Sequence, residues 1–405
     1  MMKELLPWDR WLVLAAFSFT SAIDAFLCMN FSAVSAVAKD VLGTDDVGLN
    51  FTYSIVLLTV LPVAIPVVMC IEHNFHRLSL MSVVANVIAG WLRYFAVANS
   101  SYFLAVLSSV FVGLGAAVVI NSFALIGAYY FPPSQRAMAV SLAVQSNYAG
   151  WGLGALVMPN VVSTGDDLER AMLIQAFVIS SSLVFFCIFF REPPSSSPSE
   201  TAKNYTSLAA GDSDARATPL DGHAKLSPFE SVKIMFTTRQ PAMQMFVFSV
   251  MSGIGFSIPA IQDEVFTSRK FGDFALSSTQ SSLTNVAFIL AGVVVGVILP
   301  LAAQGGRRRG IALTITFWVG TFGLTGLAWL VAQIQGHGDA AAEGGWTSDS
   351  VYSYQLVLMV LSGGGVLGFT GLGLAAIVVA AHPVSHEYSA GSVEWWNQVV
   401  GAVST

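Results

Sequence analysis

Long apolar runs alternate with short polar connections along almost the whole chain. Each run is close to the length of about 20 residues that a helix needs to cross the hydrocarbon core of a bilayer. The pattern therefore predicts an all-α polytopic membrane protein with about eleven spanning helices. The predicted helices are 10–32, 50–71, 78–97, 101–131, 137–162, 170–190, 240–262, 276–303, 310–334 and 351–381, with an eleventh that begins near Ser389.

One long polar segment, residues 191–239, interrupts this alternation. Ser, Pro, Ala and charged residues dominate most of it, and residues 191–231 contain no apolar run. Such a composition cannot bury enough apolar surface to fold. We therefore predict three units: an N-terminal six-helix bundle at 1–190, a disordered linker at 191–239 and a C-terminal bundle at 240–405.

The charges support a membrane protein and predict its orientation. Only 10% of the residues are charged, against about 25% in soluble domains. Lys and Arg concentrate in alternate connections, such as those with Arg77, Arg136 and 307–309, and positive connections favour the cytoplasmic side. We therefore expect a cytoplasmic N-terminus and a cytoplasmic linker, in a plasma or an endolysosomal membrane. The net charge of −6 gives no indication of nucleic-acid binding.

Several chemistries lack a motif in the sequence. The three cysteines are widely spaced, which is typical of neither a disulfide framework nor a zinc site. The glycine-rich stretches at 150–154 and 363–373 lack a P-loop lysine and instead predict close approach of helices. We therefore predict a protein that is not an enzyme and that needs no metal or cofactor.

Asp24 is the only charged residue between Trp11 and Ala38, near mid-depth of a predicted helix. A charge at the centre of a membrane helix costs about 2.5–3.5 kcal/mol on insertion scales, and such residues mark solute paths and proton relays. Asp24 could neutralise a cationic solute or carry a coupling proton. The structural alternative is a hydrogen bond, or an ion pair with a basic residue such as Arg93. Arg93 itself is expected to extend to the headgroups.

Other polar residues within apolar helices are further candidates for solute binding. On the eleventh helix, Glu394, Asn397 and Gln398 are spaced by three and four positions and share one face. The predicted substrate-binding residues are Asp24, Cys28, Asn121, Asn147, Tyr148, Glu394 and Gln398.

Four stretches carry a resemblance to a known family. They are RWLVLAAFSFTSAIDAF at 10–26, ANVIAGWLRYF at 85–95, YYFPPSQRAMAVSLAVQSNYAGWGLGALVMP at 129–159 and HPVSHEYSAGSVEWWNQVVG at 382–401. In this order and spacing, the chain resembles a major-facilitator transporter, and more narrowly the feline leukaemia virus subgroup C receptor (FLVCR) family of solute carriers.

The resemblance implies a fold of two pseudo-repeated six-helix bundles. It implies a secondary active or facilitative transporter of a small organic solute, working by alternating access as a monomer without a cofactor. Because the family has twelve helices, the C-terminal bundle is expected to lack the last one. The alternative is a membrane receptor or sensor that keeps the fold without transport.

The resemblance also bears on the solute. Choline-handling members carry a Trp at the position of Cys28 and a Gln at the position of Tyr148, and the Gln that matches Gln398 is associated with solute contact. Choline-like, haem-like and vitamin-like solutes all stay open, as do the coupling ion and the direction of transport.

Overall fold

The computed structural model describes residues 7–192, 226–266, 274–303, 306–337 and 347–404, and the greater part of the predicted linker, 193–225, lies outside them. Regular structure within the described residues is helical. The helices are α1 (Pro7–Met29), α2 (Ser35–Leu42), α3 (Asp46–Ala98), α4 (Tyr102–Tyr130), α5 (Pro133–Val161), α6 (Gly165–Phe189), α7 (Pro228–Thr237), α8 (Arg239–Phe266), α9 (Ser278–Ala302), α10 (Gly306–His337), α11 (Ser348–Val366), α12 (Thr370–Ala380) and α13 (His386–Ser404).

α3 contains two of the predicted spans. Its 53 residues would extend about 80 Å as one straight helix, against about 30 Å for the hydrocarbon core. Asn74 has non-helical angles, φ −127° and ψ 27°, and divides α3 at a kink. The predicted helices 50–71 and 78–97 are therefore confirmed, and the polar residues between them form a kinked junction rather than a loop.

Eight of the described helical segments are long and apolar enough to cross a membrane. They account for α1, α3, α4, α6, α8, α9, α10 and the combined α11–α12 segment. The other predicted spans are the second pass of α3 together with α5 and α13, which pack between the other helices. Small and polar residues lower the hydropathy of α5 and α13, as expected for helices that face a protein interior.

Glycines bring the helices of each bundle into close contact. On α5, a Cβ at Gly150 would lie 2.0 Å from the carbonyl oxygen of Ala22 on α1. In the second bundle, a Cβ at Gly363 of α11 would lie 1.9 Å from the carbonyl oxygen of Phe288 on α9. Both glycines lie in the stretches that predicted close approach of helices, and backbone contact at these crossings requires glycine.

The predicted helix 351–381 is broken in the structure. α11 ends at Val366 and α12 begins at Thr370, so residues 367–369 separate them. The carbonyl oxygen of Leu367 accepts the Thr370 hydroxyl at 2.7 Å and Gln145 Nε2 of α5 at 3.1 Å. The break is tolerated inside the membrane because the Thr370 and Gln145 side chains donate hydrogen bonds to the Leu367 carbonyl, a backbone group that would otherwise be satisfied within a continuous helix.

The predicted disorder of 191–239 does not extend to α7. Ser227 caps this helix. The Glu230 amide donates to the Ser227 hydroxyl oxygen at 3.2 Å, and the Ser227 amide donates to the Glu230 carboxylate at 3.1 Å. Ser231 and Met235 are buried against the second bundle. The capping box and this apolar anchor give the segment an order that its average composition does not indicate.

The two bundles meet along α5, α9 and α12, and along α3, α4 and α13. We call the end at which α1 begins and α6 ends the linker side, and the opposite end the far side. Side-chain hydrogen bonds among the described residues join the bundles between mid-depth and the linker side. They include bonds from Tyr129 to Glu387 at 2.6 Å, from Gln145 to Leu367 at 3.1 Å and from Trp395 to Leu61 at 3.1 Å. Tyr148 of α5 and Thr370 of α12 also bond across this contact.

Candidate functional site

A cavity lies between the two bundles, with about 810 Å³ of empty space that includes its opening to the outside. α1, α3, α4 and α5 line it from the first bundle, and α8, α12 and α13 line it from the second. Six of the seven predicted substrate-binding residues line this cavity. They are Asp24, Cys28, Asn147, Tyr148, Glu394 and Gln398.

The contact between α1 and α5 sets the depth of Asp24. Asn147 is the middle residue of the 29-residue α5, and its Nδ2 donates to the carbonyl oxygen of Ser21 at 3.1 Å. Ser21 precedes Asp24 by about one turn, so the carboxylate lies about 5 Å beyond the middle of α5. Asp24 therefore belongs to the central part of the bundle and not to a helix end.

Asp24 lies in a space that a glycine keeps open. The residue is 2% exposed, and its carboxylate interacts with the side-chain amide of Asn86 on α3, as the structural alternative of a hydrogen bond predicts. A Cβ at Gly115 of α4 would lie 3.0 Å from Asp24 Oδ1 and 2.6 Å from Asn86 Oδ1. A larger side chain at Gly115 would therefore collide with Asn86 and crowd the carboxylate.

Arg93 does not extend to the headgroups as predicted, because its side chain is buried and only 2% exposed. Its guanidinium donates to the carbonyl oxygen of Leu27 and to Ser109 Oγ at 3.5 Å, and it lies 4.9 Å from the centre of the Phe31 ring. Leu27 is in the last turn of α1, whose carbonyl groups lack intrahelical donors. Arg93 therefore caps α1 and stays inside the bundle.

The ionised groups of α1 and α3 are near each other without direct contact. Arg93 is close enough to Asp24 for their charges to interact, yet the described ion pairs within 4 Å do not include these two residues. The predicted alternative of a direct ion pair is thus absent from the described residues. Asp24 therefore lines the cavity with the positive charge of Arg93 nearby.

α13 supplies the second carboxylate. Glu394, Asn397 and Gln398 are 5%, 2% and 7% exposed and line the cavity on one helical face, as the spacing predicts. Asn397 Nδ2 donates to Glu394 Oε2 at 3.4 Å. Asn397 was outside the predicted substrate-binding set, although its three-residue spacing from Glu394 gave the signal.

Aromatic rings form part of the wall of the same cavity. Tyr148 and Trp151 of α5 have ring centres 6.3 Å apart, and Phe256 of α8 lies 5.2 Å from Trp151 and 6.1 Å from Tyr148. Tyr53 of α3 lines the same cavity. The sequence did not identify Tyr53, Trp151 and Phe256 as cavity residues, because aromatic residues are frequent in every apolar helix. Trp151 follows Tyr148 by three positions and therefore lies on the same face of α5, which could have indicated its place in the cavity.

Asn121 does not line the cavity. Its Nδ2 donates to the carbonyl oxygen of Ala117 at 2.7 Å within α4, and a Cβ at Gly391 of α13 would lie 3.2 Å from its Oδ1. The side chain therefore lies in the contact between α4 and α13. The position of Asn121 within an apolar helix predicted that its side chain is buried. It did not predict whether the side chain faces the cavity or a neighbouring helix.

Within the described residues, no group of three or more His, Cys, Asp or Glu side chains could hold a metal ion. Cys28 is the cysteine that lines the cavity. The chemistry that the cavity offers is therefore binding through carboxylates, amides, hydroxyls and aromatic faces.

Comparison with known proteins identifies the family of this chain and several proteins that are similar to it. Residues 12–405 match the family model described as Major Facilitator Superfamily. The choline/ethanolamine transporter FLVCR1 of Felis catus is 21% identical over 294 residues, covering 70% of this chain and 50% of that protein. FLVCR1 of Mus musculus is 21% identical over 427 residues, covering 98% of this chain and 69% of that protein.

An uncharacterised MFS-type transporter of Caenorhabditis elegans is also 21% identical, over 72% of this chain and 48% of that protein. This chain thus spans about half the length of the worm and cat proteins. Among solved structures, a variant of the Escherichia coli fucose:proton symporter FucP superposes with a TM-score of 0.61 at 8% identity, over 98% of this chain and 90% of that chain. FucP in the outward conformation superposes with a TM-score of 0.59 at 8% identity, over 96% of this chain and 90% of that chain.

Proposed function

Because this chain belongs to the Major Facilitator Superfamily, we propose that it is a transmembrane transporter that moves a small organic solute by alternating access. The observation that carries the proposal is the cavity near mid-depth, which both bundles line. A site between two bundles is exposed to one side or the other when the bundles rock.

The lining favours a small organic cation as the solute. Asp24 and Glu394 bring negative charge to the cavity from opposite bundles, and the faces of Tyr148, Trp151 and Phe256 attract cations through their ring quadrupoles. Relatives named as choline/ethanolamine transporters point to the same class. The Trp that choline-handling members carry at Cys28 is absent, but Trp151 offers an indole from another wall of the cavity.

The proposed orientation places the linker side in the cytoplasm. Arg77, Arg136 and 307–309 all lie at this end of the helices, and positively charged connections favour the cytoplasmic face. The N-terminus and the segment between α6 and α7 would then be cytoplasmic. The protein is an integral multi-pass membrane protein, and this orientation rests on the positive residues alone.

Transport in liposomes tests the proposal. Purified protein should take up radiolabelled choline, ethanolamine or another small organic cation without nucleotide, and Asp24→Asn should reduce uptake more than tenfold, because the cavity loses one of its two buried charges. Asp166→Asn, an exposed carboxylate on α6, is the matched control and should leave uptake unchanged. A cation that binds but never moves would instead support the receptor alternative.

A further inference from the structure

The net charge of the buried ionisable groups around the cavity restricts how solute transport can be coupled to the movement of protons. Asp24 and Glu394 line the cavity, and Arg93 is buried within electrostatic range of Asp24. Carboxylates and guanidinium groups are ordinarily charged at pH 7, whereas thiols and phenols are neutral. With both carboxylates ionised, the described residues around the cavity carry one net negative charge.

The two carboxylates differ in their surroundings. Asp24 has Arg93 within electrostatic range, whereas the groups that interact with Glu394 among the described residues include the Asn397 amide and no cation. α13 packs against α3, α4, α7, α8 and α12, and from these elements the ionisable group lining the cavity is the neutral Tyr53. Tyr148 of α5, also neutral, is the other ionisable group near Glu394.

The remaining ionisable groups of this region lie elsewhere. Tyr129 and Glu387 bond to each other at the linker side, where His386 begins α13. Lys233 of α7 is exposed. The described residues therefore leave Glu394 as the carboxylate whose charge an incoming positive group would balance.

We propose that this cavity holds one exchangeable positive charge, either a monovalent organic cation or a proton on Glu394, so that the protein exchanges one proton for one cation without moving net charge. Empty and ionised, the site would carry an uncompensated charge across the bilayer, which is unfavourable. When the cation enters, the proton passes from the Glu394 carboxyl to water on the side from which the cation comes. This inference rests on the proposed transport function and specifies its coupling.

Proteoliposomes with imposed gradients test the proposal. The probe is radiolabelled choline, or the quaternary ammonium ion that most stabilises the protein in a thermal-shift panel, because a permanent charge prevents uptake as a neutral base. Acid inside should drive accumulation, up to about tenfold per pH unit at equilibrium. A membrane potential set with potassium and valinomycin should have no effect. Liposomes without protein give the background.

The other outcomes of this experiment distinguish a failure of the proposed proton exchange from a failure of the proposed transport function. Uptake that follows a potential, up to about fiftyfold at 100 mV negative inside, without response to pH would overturn the exchange but support facilitated transport. Stimulation by alkaline inside would show co-transport instead. A protein that moves no cation of the panel under either gradient would contradict the proposed function itself.

Charge-compensating variants give an independent test. Asp24→Asn or Glu394→Gln alone makes the net charge zero and should lower cation uptake at least tenfold. Asp24→Asn combined with Arg93→Gln restores one net negative charge, so proton-driven uptake should recover to within about threefold of wild type. Thermal melting checks that each variant is folded. If the double variant folds but its cation uptake is as low as that of Asp24→Asn, the proposed charge count is wrong. If the double variant does not fold, the gradient experiment on the wild-type protein decides whether protons are exchanged for cations.

Discussion

Carboxylates and aromatic rings meet in the cavity, and each attracts a cation for a different physical reason. When ionised, the buried carboxylates of Asp24 and Glu394 offer full charge in a region of low dielectric, where charge interactions are strong. The faces of Trp151 and Phe256 offer a weaker attraction that does not require a hydrogen-bond donor on the solute. Together they suit a small cation that has an alkylated or otherwise apolar surface.

Trp151→Ala should weaken cation binding without removing it. One cation–π contact is worth about 0.5–2 kcal/mol, which corresponds to a dissociation constant about 2–30 times higher. Isothermal titration with the transported cation measures the change. Trp318→Ala, a 64% exposed tryptophan of α10, is the control and should bind as wild type does. Equal affinities of the Trp151→Ala variant and the wild type would exclude the indole from the site.

Which polar residues share the cavity was only partly predictable from the sequence. Asp24 was identifiable because it interrupts an apolar run, and Gln398 because it matches a family residue associated with solute contact. The spacing along α13 places Glu394 on the same face as Gln398. Asn121 interrupts its helix as Asp24 does but lies in the contact with α13. A single helix cannot show which of its sides meets another bundle, since that depends on the packing of residues far apart in the chain.

Among the elements, glycine sets how closely helices cross. The apolar runs predicted the existence and approximate ends of the helices, and the glycine-rich stretches predicted close contacts. The break at 367–369 and the order of α7 were not predicted. Both depend on individual side-chain hydrogen bonds, such as Gln145 to Leu367 and Ser227 to Glu230, which average composition does not report.

Gly150→Ala tests the crossing of α1 and α5. The new Cβ would lie 2.0 Å from the carbonyl oxygen of Ala22, so the helices must separate, and overpacking of this kind costs about 1–3 kcal/mol. We expect a lower melting temperature in detergent and reduced uptake. Gly310→Ala, where a Cβ meets nothing within 4 Å, should melt at or above the wild-type temperature, since alanine favours a helix. Equal melting of the two variants would contradict the crossing.

At the scale of the whole molecule, the hydrogen bonds that join the bundles within the described residues include several between mid-depth and the linker side of the cavity. The bond from Tyr129 to Glu387 joins the bundles at the linker end, and Trp395 and Gln145 bond across nearer the middle. These bonds are single and side-chain mediated, so a rocking motion can break them without unfolding a helix. The arrangement is suited to a cycle in which the linker end opens as the far end closes.

Distances between spin labels on the two bundles test this cycle most directly. Cysteines replace exposed residues, Ser134 and Ser385 at the linker side and Ser163 and Thr279 at the far side, in a protein without its native cysteines. Adding the transported cation should shift the two distance distributions in opposite senses, the linker side lengthening while the far side shortens. If both distances stay fixed, or change in the same sense, while the cation is transported, alternating access through the central cavity is contradicted.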